Sequence, residues 1–112
     1  MPRSHQGNVF DNIPANLPDE LFQTLVSRPG IRIERIVSNG HASPPDFWYD
    51  QEEHEWVLVV SGAARLEFEG TAEAIEMQPG AFIDIPAHCR HRVEWTDPQQ
   101  ATVWLAIFYR DM

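Results

Sequence analysis

Along this chain apolar and polar positions alternate in short runs, and Gly, Pro, Asp and Asn separate the runs at intervals of roughly ten residues. From Ile31 onward that pattern predicts strands at 31–37, 55–60, 63–69, 72–77, 81–85, 91–96 and 102–109. Arg32 and Glu34 alternate with Ile31 and Ile33, as on a half-buried strand. Trp56 to Val60 is apolar on both parities, which predicts a central strand covered on both faces. Ahead of Ile31 the period changes. Leu21, Phe22, Leu25 and Val26 share a face at helical spacing, Pro18, Asp19 and Glu20 suit a first turn, and Pro29-Gly30 suits its end. One short helix is therefore expected within 16–30, followed by an all-β closed barrel or sandwich. The division expected is an N-terminal tail and helix over 1–30 and a barrel over 31–112, with no repeat or second domain. The loop 38–47, with Gly40, Pro44 and Pro45, reads as the entry to the barrel mouth.

The 112 residues suit one domain with one core. Eight Lys plus Arg stand against 17 Asp plus Glu, a net charge of −9, which repels nucleic acid and anionic membranes. Cys89 is the only cysteine, and the stretch 1–11 has no apolar segment of signal-sequence type, so a cytoplasmic protein is expected. The longest strongly apolar run, Trp56 to Val60, falls far short of the ~20 residues of a spanning helix.

Glu55 is followed by Gly62 with six residues between, and Gly80, Pro86 and His91 come later at a second characteristic spacing. Both glycines stand where hairpins must turn, and Pro86 stands at a strand end, where a lost ladder bond costs least. These two stretches resemble the paired motifs of the cupin superfamily, in particular its small single-domain bacterial members. The resemblance implies a cupin-type double-stranded β-helix, a jelly-roll barrel whose mouth holds one small ligand. It also implies a divalent metal, Mn, Fe, Ni or Zn, held by a His-x-His pair, a Glu and a second-motif His. Glu55 and His91 match the last two, and the His-x-His pair is missing. Counting back at the family spacing gives Tyr49 and Gln51, or Trp48 and Asp50 if the gap is one longer. Tyr49 and Gln51 share parity with Glu55 and are preferred, so the metal candidates are His91, Glu55, Gln51 and Tyr49. The alternative is that these four merely hydrogen-bond one another in a barrel without metal.

His88 stands three residues before His91, where the resembled family has Gly, and with Glu55 is the candidate for catalytic proton transfer; the plainer reading is a loop histidine. His54 has the opposite parity to Glu55, His41 lies in the mouth loop and His5 in the tail. Cys89 has no orienting partner for a nucleophile and reads as a small core residue. Phe47, Trp48, Trp95, Trp104 and Phe108 read mainly as core, and Arg65, Arg90 and Arg92 as surface ion pairs. Three functions compete: a metal-dependent enzyme acting on a small polar molecule, a metal-free small-molecule binding or sensing module, and an interaction protein whose sheet pairs with a second copy. The expected partners are a small ligand and a second copy in a homodimer, covering an edge strand at 31–37.

Overall fold

The computed structural model describes residues 3–111 and shows eight strands and no helix among them. These are β1 Leu21–Arg28, β2 Ile31–Ser38, β3 His54–Ser61, β4 Ala64–Phe68, β5 Ile75–Met77, β6 Phe82–Ile85, β7 His91–Thr96 and β8 Thr102–Tyr109. All pairings are antiparallel. A five-stranded sheet in the order β1-β2-β8-β3-β6 faces a three-stranded sheet in the order β5-β4-β7, so the chain is a β-sandwich.

The helix expected within 16–30 is absent, and β1 takes its place. Its register against β2 runs Gln23 to Arg35 and Thr24 to Glu34, then skips Leu25, so that Val26 meets Ile33. A bulge at Leu25 adds one residue to a two-residue repeat and brings Leu21, Phe22, Leu25 and Val26 to helix-like spacing. Pro29-Gly30, read as a helix stop, is the two-residue turn between β1 and β2. The predicted edge strand 31–37 is in turn an interior strand, paired on one side with β1 and on the other with β8. The outer strand is β1, exposed along nearly its whole length.

Inside the sandwich, Val57, Val59, Ala64, Leu66, Met77 and Ile85 pack with Trp104, Ala106 and Phe108. Each large apolar side chain so buried contributes roughly 1.5–3 kcal/mol. β3 lies within its sheet as expected, but only Glu55, Val57 and Val59 face the core; Trp56 turns outward and lies tilted against Phe82, ring centroids 5.4 Å apart. One covered face, not two, is what a β-sandwich gives each of its sheets. β2 reverses the usual sense of its alternation. Arg32, Glu34 and Ile36 face the interior, whereas Ile31 is exposed.

On the outer face of β2, Arg35 is buried beneath the N-terminal segment. Its guanidinium donates to the carbonyls of Val9 at 3.0 Å and Asp11 at 2.5 Å, and its Nε donates to Gln23 Oε1 at 2.7 Å. Gly62 and Gly80 make the turns after β3 and before β6, with φ of +89° and +92°. At Gly62 a side chain is also excluded by space, because an added Cβ would lie 2.6 Å from Thr102 Cα and 2.8 Å from the Ala101 carbonyl oxygen.

Candidate functional site

A cavity of about 220 Å3 lies between the sheets. Inward-facing Ile36, Val57, Leu66, Ile85, Val93 and Trp104 form an apolar wall, and Glu55, His91, Tyr49 and Gln51 collect at its polar part. Strand periodicity places Glu55 on the core-facing parity of β3 with Val57 and Val59. His91 opens β7. The connection between β2 and β3 is held to it by an isolated bridge, in which Tyr49 N–H donates to the His91 carbonyl at 2.7 Å and His91 N–H donates to the Tyr49 carbonyl at 3.2 Å. That bridge stacks the phenol on the imidazole, centroids 5.5 Å apart and planes at 29°.

His91 Nδ1–H donates to the Cys89 carbonyl at 2.9 Å, which turns Nε2 toward Glu55 Oε1 at 3.4 Å. With both groups unprotonated, a lone pair would face a carboxylate oxygen, so the arrangement favours one proton held between them. Burial alone would lower the His91 pKa, but the Glu55 carboxylate and the Cys89 carbonyl outweigh it and raise the pKa above the ordinary imidazole value. Tyr49 is pushed above the usual phenol range by burial first, then by the negative charges of Glu20 and Glu55. It stays a neutral phenol.

Glu20 and Phe22, expected on a helix, and Arg32 and Glu34, expected on a half-buried strand, also line the cavity. Glu20 accepts a hydrogen bond from the Ser38 hydroxyl, which itself accepts one from Trp104 Nε1–H at 3.1 Å. Arg32 donates to Glu34 at 2.8 Å and to both oxygens of Glu53 at 3.2 Å, and its guanidinium carbon lies 4.4 Å above the centre of the Phe108 ring. The Arg32 and Glu34 alternation was visible in the sequence; which face it served was not.

Other candidates lie elsewhere. His88 does not line the cavity: its side chain is 64% exposed, its Nδ1 lies 2.7 Å from Asp50 Oδ1, and its backbone has a φ of +62°, a conformation glycine takes most easily. Its N–H donates to the Gln51 carbonyl at 2.8 Å. His54 points outward, accepting from Ala87 N–H at 2.9 Å and lying 3.0 Å from Asp111. His41 sits in the loop after β2 against Asn39 and the Pro18 carbonyl. Cys89 packs beside the core.

A divalent metal fits this donor set poorly. His91 is oriented as a ligand would be, with Nδ1 fixed by a carbonyl and Nε2 directed inward. Beside His91 and Glu55, however, the polar end adds only the Gln51 amide and the Tyr49 phenol, whose raised pKa keeps it a weak donor, while the other carboxylates of the lining, Glu20 and Glu34, are engaged by Ser38 and Arg32. Among the described residues no three His, Cys, Asp or Glu side chains are arranged to hold a metal ion.

A model of the cupin domain matches residues 34–108. The chain belongs to the cupin family. A crystal structure from Ralstonia eutropha JMP134, named "putative mannose-6-phosphate isomerase", is 53% identical, covers 96% of this cupin and 100% of its own chain, and superposes with a TM-score of 0.94. A cupin superfamily protein from Desulfitobacterium hafniense DCB-2 shares the fold at 18% identity and a TM-score of 0.76, over 99% of this chain and 95% of its own. An RmlC-like cupin with a double-stranded β-helix fold from Methanocaldococcus jannaschii does so at 14% identity and a TM-score of 0.67, over 88% and 86%. No curated protein matches the chain. No helix among the described residues is long and apolar enough to cross a membrane.

Proposed function

We propose that this cupin is a small-molecule binding protein whose cavity takes one organic ligand without a resident metal, and that His91 and Glu55 present a shared proton to it. The observation that carries the reading is a buried His91–Glu55 contact at 3.4 Å, open to a cavity of about 220 Å3 with a largely apolar wall. A few convergent polar groups in an apolar recess are the usual form of a ligand site. Taking about 30 Å3 per heavy atom, as for a water in the liquid, the cavity has room for roughly seven such atoms or a few more.

Isomerase chemistry, which the name of the Ralstonia protein brings to mind, needs a group that takes and returns a proton, and the His91–Glu55 pair is of that kind. A sugar phosphate needs in addition a cation free to hold the phosphate. Arg32, the one arginine that lines the cavity among the described residues, is already shared by Glu34 and Glu53. Binding therefore leads over sugar-phosphate catalysis, and His88 has no part in it.

The test uses tag-free protein and the indole N–H resonance of Trp104, whose donor faces Ser38 beside the cavity. Small organic fragments that bind should move this resonance and the His91 ring resonances together. Fragments that bind while moving neither would refute the site. Chelator-stripped protein given Mn, Fe(II), Ni or Zn should show no His91-dependent rise in melting temperature. A rise abolished in His91→Ala would overturn the metal-free reading.

A further inference from the structure

The charges around the cavity are one-sided. Among the described residues, Glu20, Glu34 and Glu55 line it against one arginine, Arg32, and the titratable His91, and Arg32 is engaged by Glu34 and by Glu53. Glu20 and Glu55 have no arginine of their own. Glu20 meets a hydroxyl. Glu55 is 8% exposed, and among the described residues the one basic side chain it meets is His91, through the 3.4 Å contact. A largely buried carboxylate whose side chain is 11% exposed, and which has no short hydrogen bond, costs free energy unless a cationic or donor group reaches it. The cavity is the side from which such a group can arrive.

Aromatic faces point to the same chemistry. Phe22, Tyr49, Trp104 and Phe108 all line the cavity, and a cation over an aromatic face is held by the ring quadrupole. The protein already makes one such contact, between Arg32 and Phe108. The raised pKa of Tyr49 reports the negative potential of Glu20 and Glu55 inside the cavity, after the effect of its own burial.

We infer that the cavity selects a small organic cation, an alkyl- or arylammonium whose nitrogen lies between Glu55 and Glu20 and whose carbon skeleton lies against the aromatic and aliphatic wall. This rests on the cavity being a ligand site and adds the class of ligand. The N–H groups would donate to the two carboxylates. A carboxylate or phosphate would meet both with like charge, so a phosphorylated sugar is disfavoured.

The experiment titrates three near-isosteric probes, 2-phenylethylammonium, 2-phenylethanol and phenylacetate, together with mannose 6-phosphate, following the Trp104 indole resonance and calorimetric heat. Charge-assisted hydrogen bonds to a partly buried carboxylate predict that the ammonium binds roughly ten- to a hundredfold more tightly than the alcohol. That advantage, read in each variant as the ratio of ammonium to alcohol affinity, should shrink several-fold in Glu55→Gln and in Glu20→Gln. Glu20 is half-buried where Glu55 is buried, so its variant carries the test if Glu55→Gln does not fold. Equal binding of ammonium and alcohol, or tighter binding of phenylacetate or mannose 6-phosphate, would overturn the cation inference and leave the ligand site standing. If none of the four moves Trp104, the ligand site and the inference fall together.

Discussion

The two hairpin glycines make a paired experiment, since they share a backbone conformation and differ in their surroundings. Gly80→Ala places a Cβ at φ +92° with nothing within 4 Å. Its cost is the left-handed backbone alone, about 1–2 kcal/mol. Gly62→Ala meets the same penalty at φ +89°, and its Cβ would also lie 2.5 Å from Thr102 Oγ1, 2.6 Å from Thr102 Cα and 2.8 Å from the Ala101 carbonyl. The hydroxyl can rotate away, but the two backbone atoms cannot, so β8 must shift at a further cost of about 1–3 kcal/mol. The reduced freedom of the unfolded chain offsets both variants equally. Totals of about 1–2 and 2–5 kcal/mol correspond, at roughly 4 °C per kcal/mol for a chain of this size, to melting-temperature falls of roughly 4–8 °C and 8–20 °C. Urea and thermal unfolding followed by circular dichroism measure both. Equal losses in the two variants would show that the close approach of β8 to the β3–β4 turn is not what Gly62 serves.

The His91–Glu55 pair has its own pH signature. Because the folded His91 pKa is raised, the pair's stabilisation is complete below the unfolded imidazole value of about 6.5 and is lost as pH rises through the folded value. Urea titrations of wild type and Glu55→Gln between pH 5.5 and 8.5 should therefore show a stability difference that declines with pH, and a flat difference would mean that no proton is held there. Trp104→Phe removes the donor to Ser38 and part of a buried ring, and should cost about 2 kcal/mol by chemical denaturation. Exposed Leu25 and Val26 on the outer strand β1 offer an edge for a second copy. Light scattering should give a mass of two chains at micromolar concentration, falling to one for Val26→Lys, and one chain for the wild type would refute the dimer.

Much of the sandwich was legible because most of its strands carry ordinary turn chemistry. β7 and β8 have the bounds that alternation and turn residues predict, and β2, β3 and β6 differ by a residue or two. β5 is shorter than its pattern, reduced to Ile75–Met77. β1 was misread because Leu25 is an extra residue in the ladder, and a bulge leaves no mark in sequence that separates it from a helical period. The motif spacing paired Glu55 with His91 across 36 positions of chain, and the structure brings them together. It gave no hint of Glu20 or Phe22, whose approach depends on β1 being a strand. Arg32 and Glu34 were read with the right period, but alternation does not say which face meets the interior.

The unequal widths of the two sheets, five strands against three, bear on how this protein can change. β1 and the residue that precedes it contribute Phe22 and Glu20 to the cavity, yet neither adds a residue to the buried cluster that joins the sheets. Both positions also precede the stretch 34–108 that matches the cupin domain. Substitution there can redraw the lining of the cavity without altering the buried cluster that joins the sheets. Such separation gives selection a free hand: one strand is available for new chemistry, and the remaining seven keep the scaffold.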